Sequence, residues 1–119
     1  MIKTVVLGAS PNPERYSYRA VIALLNKGYE VVPIGIKPGT IENISIVNRT
    51  SAIKDVHTIT IYLNKANQKP YYAYILKLQP QRVIFNPGTH NQEFINLLGL
   101  NGIEVVEDCT LVMLSMGTF

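Results

Sequence analysis

The sequence predicts an α/β protein: a single Rossmann-like domain with helices on both faces of a mainly parallel five-stranded sheet. Short runs rich in Val and Ile alternate with amphipathic segments of helical length, and such βαβ units close right-handed into a parallel sheet. A chain of 119 residues has the size of one domain. Its composition, 47% apolar and 16% charged, excludes a disordered chain. We therefore expect residues 1–119 to fold around one core.

The first strand and helix have the clearest pattern. Residues 4–7 (TVVL) form a continuous apolar run, typical of a strand covered on both faces, and Gly8 ends it. Residues 16–27 are predicted to form a helix that ends at Gly28. The reason is that its apolar side chains share one stripe, formed by Ala20, Val21, Leu24 and Leu25.

The middle of the chain contains two further strands and a helix. Residues 30–36 (EVVPIGI) predict the second strand, and residues 41–47 predict either its extension or a small edge strand. Residues 56–63 (VHTITIYL) predict the third principal strand. Residues 70–78 predict a helix, because Pro70 suits a first helical position and the Gln79-Pro80 pair stops it.

The last third repeats the alternation. Residues 82–85 (RVIF) predict the fourth strand. Asn91 is expected to cap a helix that ends at Gly99. Residues 103–106 (IEVV) predict the fifth strand. Residues 108–114 predict a short final helix capped by Asp108, with a strand as the alternative that their composition also suits.

Ligands of such sheets bind outside the carboxyl ends of the strands, where the strand order reverses. The segments expected on that rim are residues 8–17, 35–37, 64, 86–91 and 107–110.

The loop after the first strand has the composition of a phosphate site. Gly8 allows close backbone approach, Ser10 supplies a hydroxyl, and Arg15 and Ser17 supply donors at the start of a helix, where an anion is favoured. A plain turn with a solvated Arg15 is the alternative. The loop has one glycine instead of the G-x-G-x-x-G pattern of dinucleotide sites.

The end of the second strand bears on which nucleotide binds. Nicotinamide cofactors usually require a carboxylate about 20 residues beyond the loop. Here the sequence is Gly35-Ile36-Lys37, without an acid. Lys37 instead suits a phosphate on the ribose, as in NADP or coenzyme A.

Charge and cysteine content limit the partners. The net charge of +3 comes from scattered Lys and Arg, so we expect a small anionic ligand and no nucleic acid. No apolar stretch approaches the roughly 20 residues of a membrane span, and no basic region precedes an apolar leader. Cys109 is the single cysteine, so no internal disulfide forms. A cytoplasmic location is the expectation.

No catalytic set or metal site is predicted. His57 begins a strand on the edge opposite the ligand and is expected to be structural. His90 lies on the ligand rim without a nucleophile or an orienting carboxylate assigned to it. Cys109 is expected to be a packed or ligand-lining thiol more than a reactive one. The rings of Tyr71, Tyr72 and Tyr74 point in different directions on a helix, which favours core packing over a stacking platform.

Two stretches carry a family resemblance. Residues 6–17 (VLGASPNPERYS) and residues 28–34 (GYEVVPI) resemble the small stand-alone CoA-binding domain proteins, which are similar to the first domain of the succinyl-CoA synthetase α subunit. The likeness covers nearly the whole chain, including the turn at residues 86–88 (NPG) and the Asp108-Cys109 segment. The second strand departs from the family's valine-asparagine-proline ending.

The resemblance implies a CoA site along the rim. The loop from Gly8 to Ser17 would cradle the pyrophosphate and Lys37 would lie at the ribose phosphate. Leu63 and Asn64 would line the adenine side, and Pro87 and Gly88 the pantetheine path. The full candidate set is Gly8, Ala9, Ser10, Asn12, Arg15, Tyr16, Ser17, Gly35, Lys37, Leu63, Asn64, Pro87, Gly88 and Cys109.

The function expected from this combination is non-catalytic binding of coenzyme A or an acyl-CoA. The synthetases carry a phosphorylated histidine in a later domain, so we expect binding to carry over to this chain without ligase chemistry. Two alternatives remain open. One is a small NADP-dependent oxidoreductase or a CoA transferase that uses Cys109 or His90. The other is a regulatory subunit that senses CoA and docks on a larger enzyme. The expected macromolecular partner is another protein or a second copy of this chain.

Overall fold

The computed structural model describes residues 2–49 and 51–119. Its main sheet has five parallel strands, which helices connect. The elements in chain order are β1 (Lys3–Leu7), α1 (Tyr16–Asn26), β2 (Glu30–Ile34), β3 (Thr40–Ile41), β4 (Ile44–Ser45), β5 (Val56–Ile61), α2 (Lys65–Gln68), a 3-10 turn (Lys69–Tyr71), α3 (Tyr72–Leu78), β6 (Arg82–Phe85), α4 (Gln92–Leu100), β7 (Glu104–Glu107) and α5 (Thr110–Met116).

The order of the strands in the sheet is β2-β1-β5-β6-β7, and every pair is parallel. The chain runs from β1 outward to β2 and then returns across β1 to β5, so the order reverses between β1 and β5. The predicted Rossmann-like α/β domain is confirmed. A reversal of this kind opens a crevice at the carboxyl ends of the two strands.

Helices cover both faces of the sheet, as predicted. Successive residues of a strand point to opposite faces. Val6 therefore packs in a cluster with Val21 and Leu24 of α1 and Leu114 of α5. On the other face Val5 and Leu7 share a cluster with side chains of α3 and α4, among them Ile75, Phe94 and Leu98. None of the helices formed by residues 2–49 and 51–119 is long and apolar enough to cross a membrane.

Several predicted boundaries were wrong in the first half. The second strand ends at Ile34, and the third ends at Ile61 instead of residue 63. Residues 40–45 form an antiparallel hairpin, and Val47 then makes one parallel bridge to Ile34. The helical segment begins at Lys65, before Pro70, because the Oδ1 atom of Asn64 accepts from the amide of Asn67 at 3.2 Å and caps α2.

Two helix ends in the second half also differ from prediction. Helix α4 continues through Gly99 and ends at Leu100. Helix α5 begins at Thr110 with Cys109 as its N-cap residue, so Asp108 is not the cap. The Oδ1 atom of Asp108 instead accepts from the amide of Cys109 at 2.7 Å. The predicted Asn91 cap of α4 is present, with the amide of Phe94 donating to Oδ1 at 3.2 Å.

The loop after β1 lies directly against the end of β2. The amides of Gly8 and Ala9 both donate to the carbonyl of Ile34, at 2.9 and 2.8 Å. A Cβ atom on Gly35 would lie 2.2 Å from the carbonyl oxygen of Ala9. Glycine is therefore required at position 35 because two backbone segments touch there.

We expect Gly35→Ala to lower the free energy of unfolding by roughly 2 to 4 kcal/mol, since a backbone oxygen must move to admit the methyl group. The matched control is Gly99→Ala, where a Cβ meets nothing within 4 Å. That change should raise stability by about 0.5 to 1 kcal/mol, because alanine favours a helix. Urea unfolding measures both. Equal effects of the two substitutions would contradict the close contact.

Candidate functional site

A cleft of about 530 Å³ opens at the reversal point between the ends of β1 and β5. Three parts of the chain enclose it: the loop after β1 with the start of α1, the segment after β2, and the helical turn after β5. The lining residues are Gly8, Ala9, Ser10, Arg15, Ser17, Gly35, Ile36, Lys37, Arg49, Tyr62, Leu63, Ala66, Asn67, Pro70 and Tyr71.

The loop on the floor of the cleft is ordered by its own polar groups. Gly8 has a φ of 92° and a Cβ there would lie 3.1 Å from the Leu63 side chain, so only glycine fits without strain. The Ser10 hydroxyl accepts from the amide of Asn12 at 3.1 Å, and Asn12 Oδ1 accepts from the amide of Glu14 at 3.0 Å. These local hydrogen bonds hold the loop after β1 in its conformation.

Helix α1 begins at this loop without a side-chain cap. Arg15 is the N-cap residue and has extended φ and ψ, and no side chain of the described residues accepts from the first amides of α1. Uncapped amides at a helix start favour an anion. Ser17 is buried in the first turn, while Arg15 is exposed at the cleft.

The charge of the cleft has one sign. Arg15, Lys37 and Arg49 line it, and no Asp or Glu occurs among the described lining residues. Positive charges that line a concave surface raise the local concentration of anions. The cleft is therefore suited to an anionic ligand that carries more than one charge.

Arg49 reaches the cleft from the segment that follows β4. Its Nη1 atom donates to the carbonyl of Pro70 at 3.3 Å, and its guanidinium carbon lies 5.7 Å from the centre of the Tyr71 ring. The side chain thus joins the β2 side of the cleft to the helical turn after β5.

A second cavity of about 280 Å³ is lined by Tyr16, Tyr62, Asn86, Pro87, Cys109 and Leu111. Tyr62 lines this cavity as well as the cleft, so the two spaces are neighbours. The larger part of the cavity wall is apolar.

Asn86 holds the wall of the second cavity in place. Its Nδ2 atom donates to Thr60 Oγ1 at 2.6 Å and to the carbonyl of Ile61 at 2.8 Å. Its Oδ1 atom accepts from the amide of Thr110 at 2.9 Å. One buried amide thus ties the end of β6 to β5 and to the start of α5.

A second buried network joins the rim loops. The Nε2 atom of Gln68 donates to the carbonyls of Leu63 and Thr89, at 2.9 and 2.7 Å. Asn91 Nδ2 donates to Gln68 Oε1 at 3.0 Å and to the Tyr72 hydroxyl at 2.7 Å. Gln68 is fully buried, so the loop after β5 and the loop after β6 are held as one unit.

The hydroxyl of Tyr62 lacks a partner between the two spaces. Burial raises the pKa of this phenol, and Cys109 as a thiolate adds to the increase. The nearby hydroxyls of Thr110 and Thr60 lower it, although neither meets hydrogen-bond geometry with Tyr62. Those two hydroxyls bond each other at 2.7 Å. Among residues 2–49 and 51–119, only the hydroxyl oxygens of Tyr62 and Thr4 are buried side-chain polar atoms without a hydrogen-bond partner.

The predicted site residues divide into three groups. Those that line the cleft are Gly8, Ala9, Ser10, Arg15, Ser17, Gly35, Lys37 and Leu63. Those that line the second cavity are Tyr16, Pro87 and Cys109. Asn12, Asn64 and Gly88 line neither, because Asn12 orders its own loop, Asn64 caps α2, and Gly88 is exposed in a turn.

Sequence reasoning missed several residues of both spaces. In the cleft they are Arg49, Tyr62, Ala66, Asn67, Pro70 and Tyr71, and in the second cavity Leu111. Ile36 and Asn86 lie within the predicted rim segments 35–37 and 86–91, although neither was named as a site residue. Position after a strand end was a usable signal for Tyr62, which directly follows β5. No local pattern marks Arg49, because it follows a hairpin instead of a strand of the main sheet.

The histidines lie outside both spaces. His57 Nδ1 and Thr58 Oγ1 are 2.7 Å apart at the start of β5, on the edge opposite the cleft. His90 Nδ1 and Glu107 Oε1 are 2.5 Å apart on the exposed surface. No group of three or more metal-ligating side chains occurs in the described part of the chain.

The tyrosine cluster is mostly core, as predicted. Tyr72 stacks on Phe94 with ring centres 4.2 Å apart, and the Tyr74 hydroxyl donates to the carbonyl of Ser51 at 2.8 Å. Tyr71 is also buried, but one edge of it lines the cleft.

Comparison with known proteins identifies both a family and a set of similar structures. The family described as CoA binding domain matches residues 3–115. A crystal structure of an uncharacterized protein is 50% identical, with a TM-score of 0.97, over 100% of this chain and 98% of the other. A conserved hypothetical protein from Pyrococcus furiosus is 26% identical, with a TM-score of 0.79, over 90% and 93% of the two chains.

A more distant structure shows that the fold persists at low identity. The cell-free ID.343 protein from Thermus thermophilus is 23% identical, with a TM-score of 0.88, over 99% of this chain and 90% of the other. A search of curated proteins finds no match.

We expect Tyr62→Phe to raise the free energy of unfolding by up to about 1 kcal/mol, because it removes a buried hydroxyl without a partner. The matched control is Tyr72→Phe, which leaves a buried Asn91 N–H without its acceptor and should cost about 1 to 2 kcal/mol. Chemical unfolding of both variants measures the difference. A Tyr62→Phe loss as large as that of the control would show that Tyr62 has a partner.

Proposed function

Because the chain belongs to the family of CoA binding domains, we propose that it binds coenzyme A or an acyl-CoA in the cleft and the adjoining second cavity. The observation that carries the proposal is the combination, among the described residues of one cleft, of an uncapped helix start with three cations and no carboxylate. Family membership supports CoA binding in general. The assignment of each part of the ligand to residues is the proposal.

The pyrophosphate is assigned to the loop after β1. The amides at the start of α1 offer partial positive charge, and Arg15 offers a guanidinium beside them. The Ser10 hydroxyl can donate its proton to a phosphate oxygen while it continues to accept from Asn12. This part of the site binds the diphosphate group, which all nucleotide diphosphates have in common.

The adenosine is assigned to the side of the cleft between β2 and the helical turn after β5. Lys37 supplies a cation for the ribose phosphate, as the sequence suggested. Leu63, Ile36 and Tyr71 supply apolar surface for the adenine. Asn64 is not assigned to the base, because its side chain caps α2.

The pantetheine arm is assigned to the passage beside Tyr62 and to the second cavity. Pro87 and Leu111 offer apolar walls, and the unpartnered Tyr62 hydroxyl can bond an amide of the arm. Cys109 lies at the thiol end of this route. The space accepts a free thiol or a small acyl group.

The activity that we propose is binding alone, with a cytoplasmic location and a protein partner or a second copy of the chain as further predictions. CoA-dependent capture of a partner would separate a regulatory subunit from a passive binder. Binding of NADP without CoA would favour the oxidoreductase alternative.

We expect Arg15→Ala to weaken CoA binding by roughly 1.5 to 3 kcal/mol, since a charge-assisted phosphate contact is lost. Titration calorimetry with CoA, acetyl-CoA, NADP and ATP measures it. The control is Lys27→Ala, because Lys27 is exposed at the far end of α1 and absent from both linings. An unchanged CoA affinity in Arg15→Ala would contradict the assignment of the pyrophosphate to this loop.

We expect bound acetyl-CoA, which has no free thiol to consume the reagent, to slow the alkylation of Cys109 by about tenfold or more, because the arm fills the cavity beside this thiol, which is part-exposed without ligand. Adenosine 3′,5′-bisphosphate, which lacks the arm, is the control and should leave the rate nearly unchanged. Mass spectrometry of the single cysteine follows the reaction. Equal protection by both ligands would exclude the route past Tyr62.

A further inference from the structure

We propose that Arg49 binds the phosphate on the ribose of the ligand and thereby makes the site select nucleotides with a 3′-phosphate over those without one. The inference rests on the proposed function of the cleft. It adds a specificity-determining residue that neither the loop after β1 nor the end of β2 contains.

The backbone brings Arg49 and Lys37 to the same side of the cleft. Val47 pairs with Ile34 in a parallel bridge, and the amide of Gly35 donates to the carbonyl of Val47 at 3.0 Å. Because the two segments are parallel, they leave the bridge in the same direction. Lys37 and Arg49 follow within three residues of the bridge, and both side chains line the cleft.

The charges in the cleft exceed what a pyrophosphate requires. Arg15 and the start of α1 lie at the phosphate loop, where one diphosphate would be matched. Lys37 and Arg49 come from a different part of the chain and make no ion pair with a described residue, since the ion pairs found are Lys3 with Glu30 and His90 with Glu107. Two such cations suit a second, separate phosphate.

The present contacts of Arg49 leave it able to bind. One N–H donates to the carbonyl of Pro70 at 3.3 Å, a long hydrogen bond, and the Tyr71 ring lies 5.7 Å from the guanidinium carbon. A guanidinium has five N–H donors in a planar fork that fits a phosphate, so donors remain after these contacts. Tyr71 holds the fork over the cleft and reduces the ordering needed on binding.

The test compares CoA with dephospho-CoA, which differs only in the 3′-phosphate, by titration calorimetry on the full chain. We expect wild type to bind CoA more tightly than dephospho-CoA. Arg49→Gln should weaken CoA by about tenfold and leave dephospho-CoA unchanged, because only one ligand loses a charge-assisted contact. The CoA affinity of Arg49→Lys should lie between those of wild type and Arg49→Gln, since lysine keeps the charge but lacks the planar guanidinium.

Lys27→Gln, at an exposed cation outside both linings, is the matched control and should change neither affinity. Thermal unfolding without ligand checks that the loss of the Tyr71 contact leaves the fold intact. An equal loss for both ligands in Arg49→Gln, or an unchanged ratio, would overturn the inference. Wild type that binds both ligands equally would also overturn it while the proposed function stands. Wild type that binds neither would overturn the proposed function itself.

Discussion

The close approach of the loop after β1 to the end of β2 is the constraint on which the site depends. The Ile34 carbonyl accepts two consecutive amides, from Gly8 and Ala9, and the Ala9 oxygen occupies the place where residue 35 would otherwise carry a Cβ atom. This contact sets the direction in which the chain enters α1. It also turns residues 35–37 toward the cleft, so the helix start and Lys37 face the same space.

Buried side-chain amides hold the other loops of the rim in place. Asn86 joins β5, β6 and α5, and Gln68 joins the loops that follow β5 and β6. Buried polar groups are costly unless each finds a partner. Here the partners are backbone atoms of neighbouring segments together with the side chains of Thr60 and Asn91. The networks thus stabilise the loops in one arrangement. The hydroxyl of Tyr62, between the two spaces, is buried without such a partner.

Charge and shape together restrict what the cleft can hold. The net charge of the chain is a modest +3, yet three cations and no carboxylate of the described residues line a single space. The neighbouring cavity is mainly apolar. A ligand that is highly charged at one end and has a long, weakly polar arm at the other matches both. Coenzyme A has this form, and the family to which the chain belongs supports the same ligand.

The sequence by itself determined the features whose signals are local. The strand at residues 82–85, the Asn91 cap and the two-sided burial of β1 were predictable, because apolar runs and capping residues act over a few positions. The starts of α2 and α5 were misjudged, because Asn64 caps α2 and the Asp108 carboxylate accepts from the amide of Cys109 instead of capping α5. Only the tertiary structure decided the strand order, the requirement for Gly35 and the position of Arg49 in the cleft. Each of these depends on which distant segments meet, and the residues on either side carry no local pattern that specifies it.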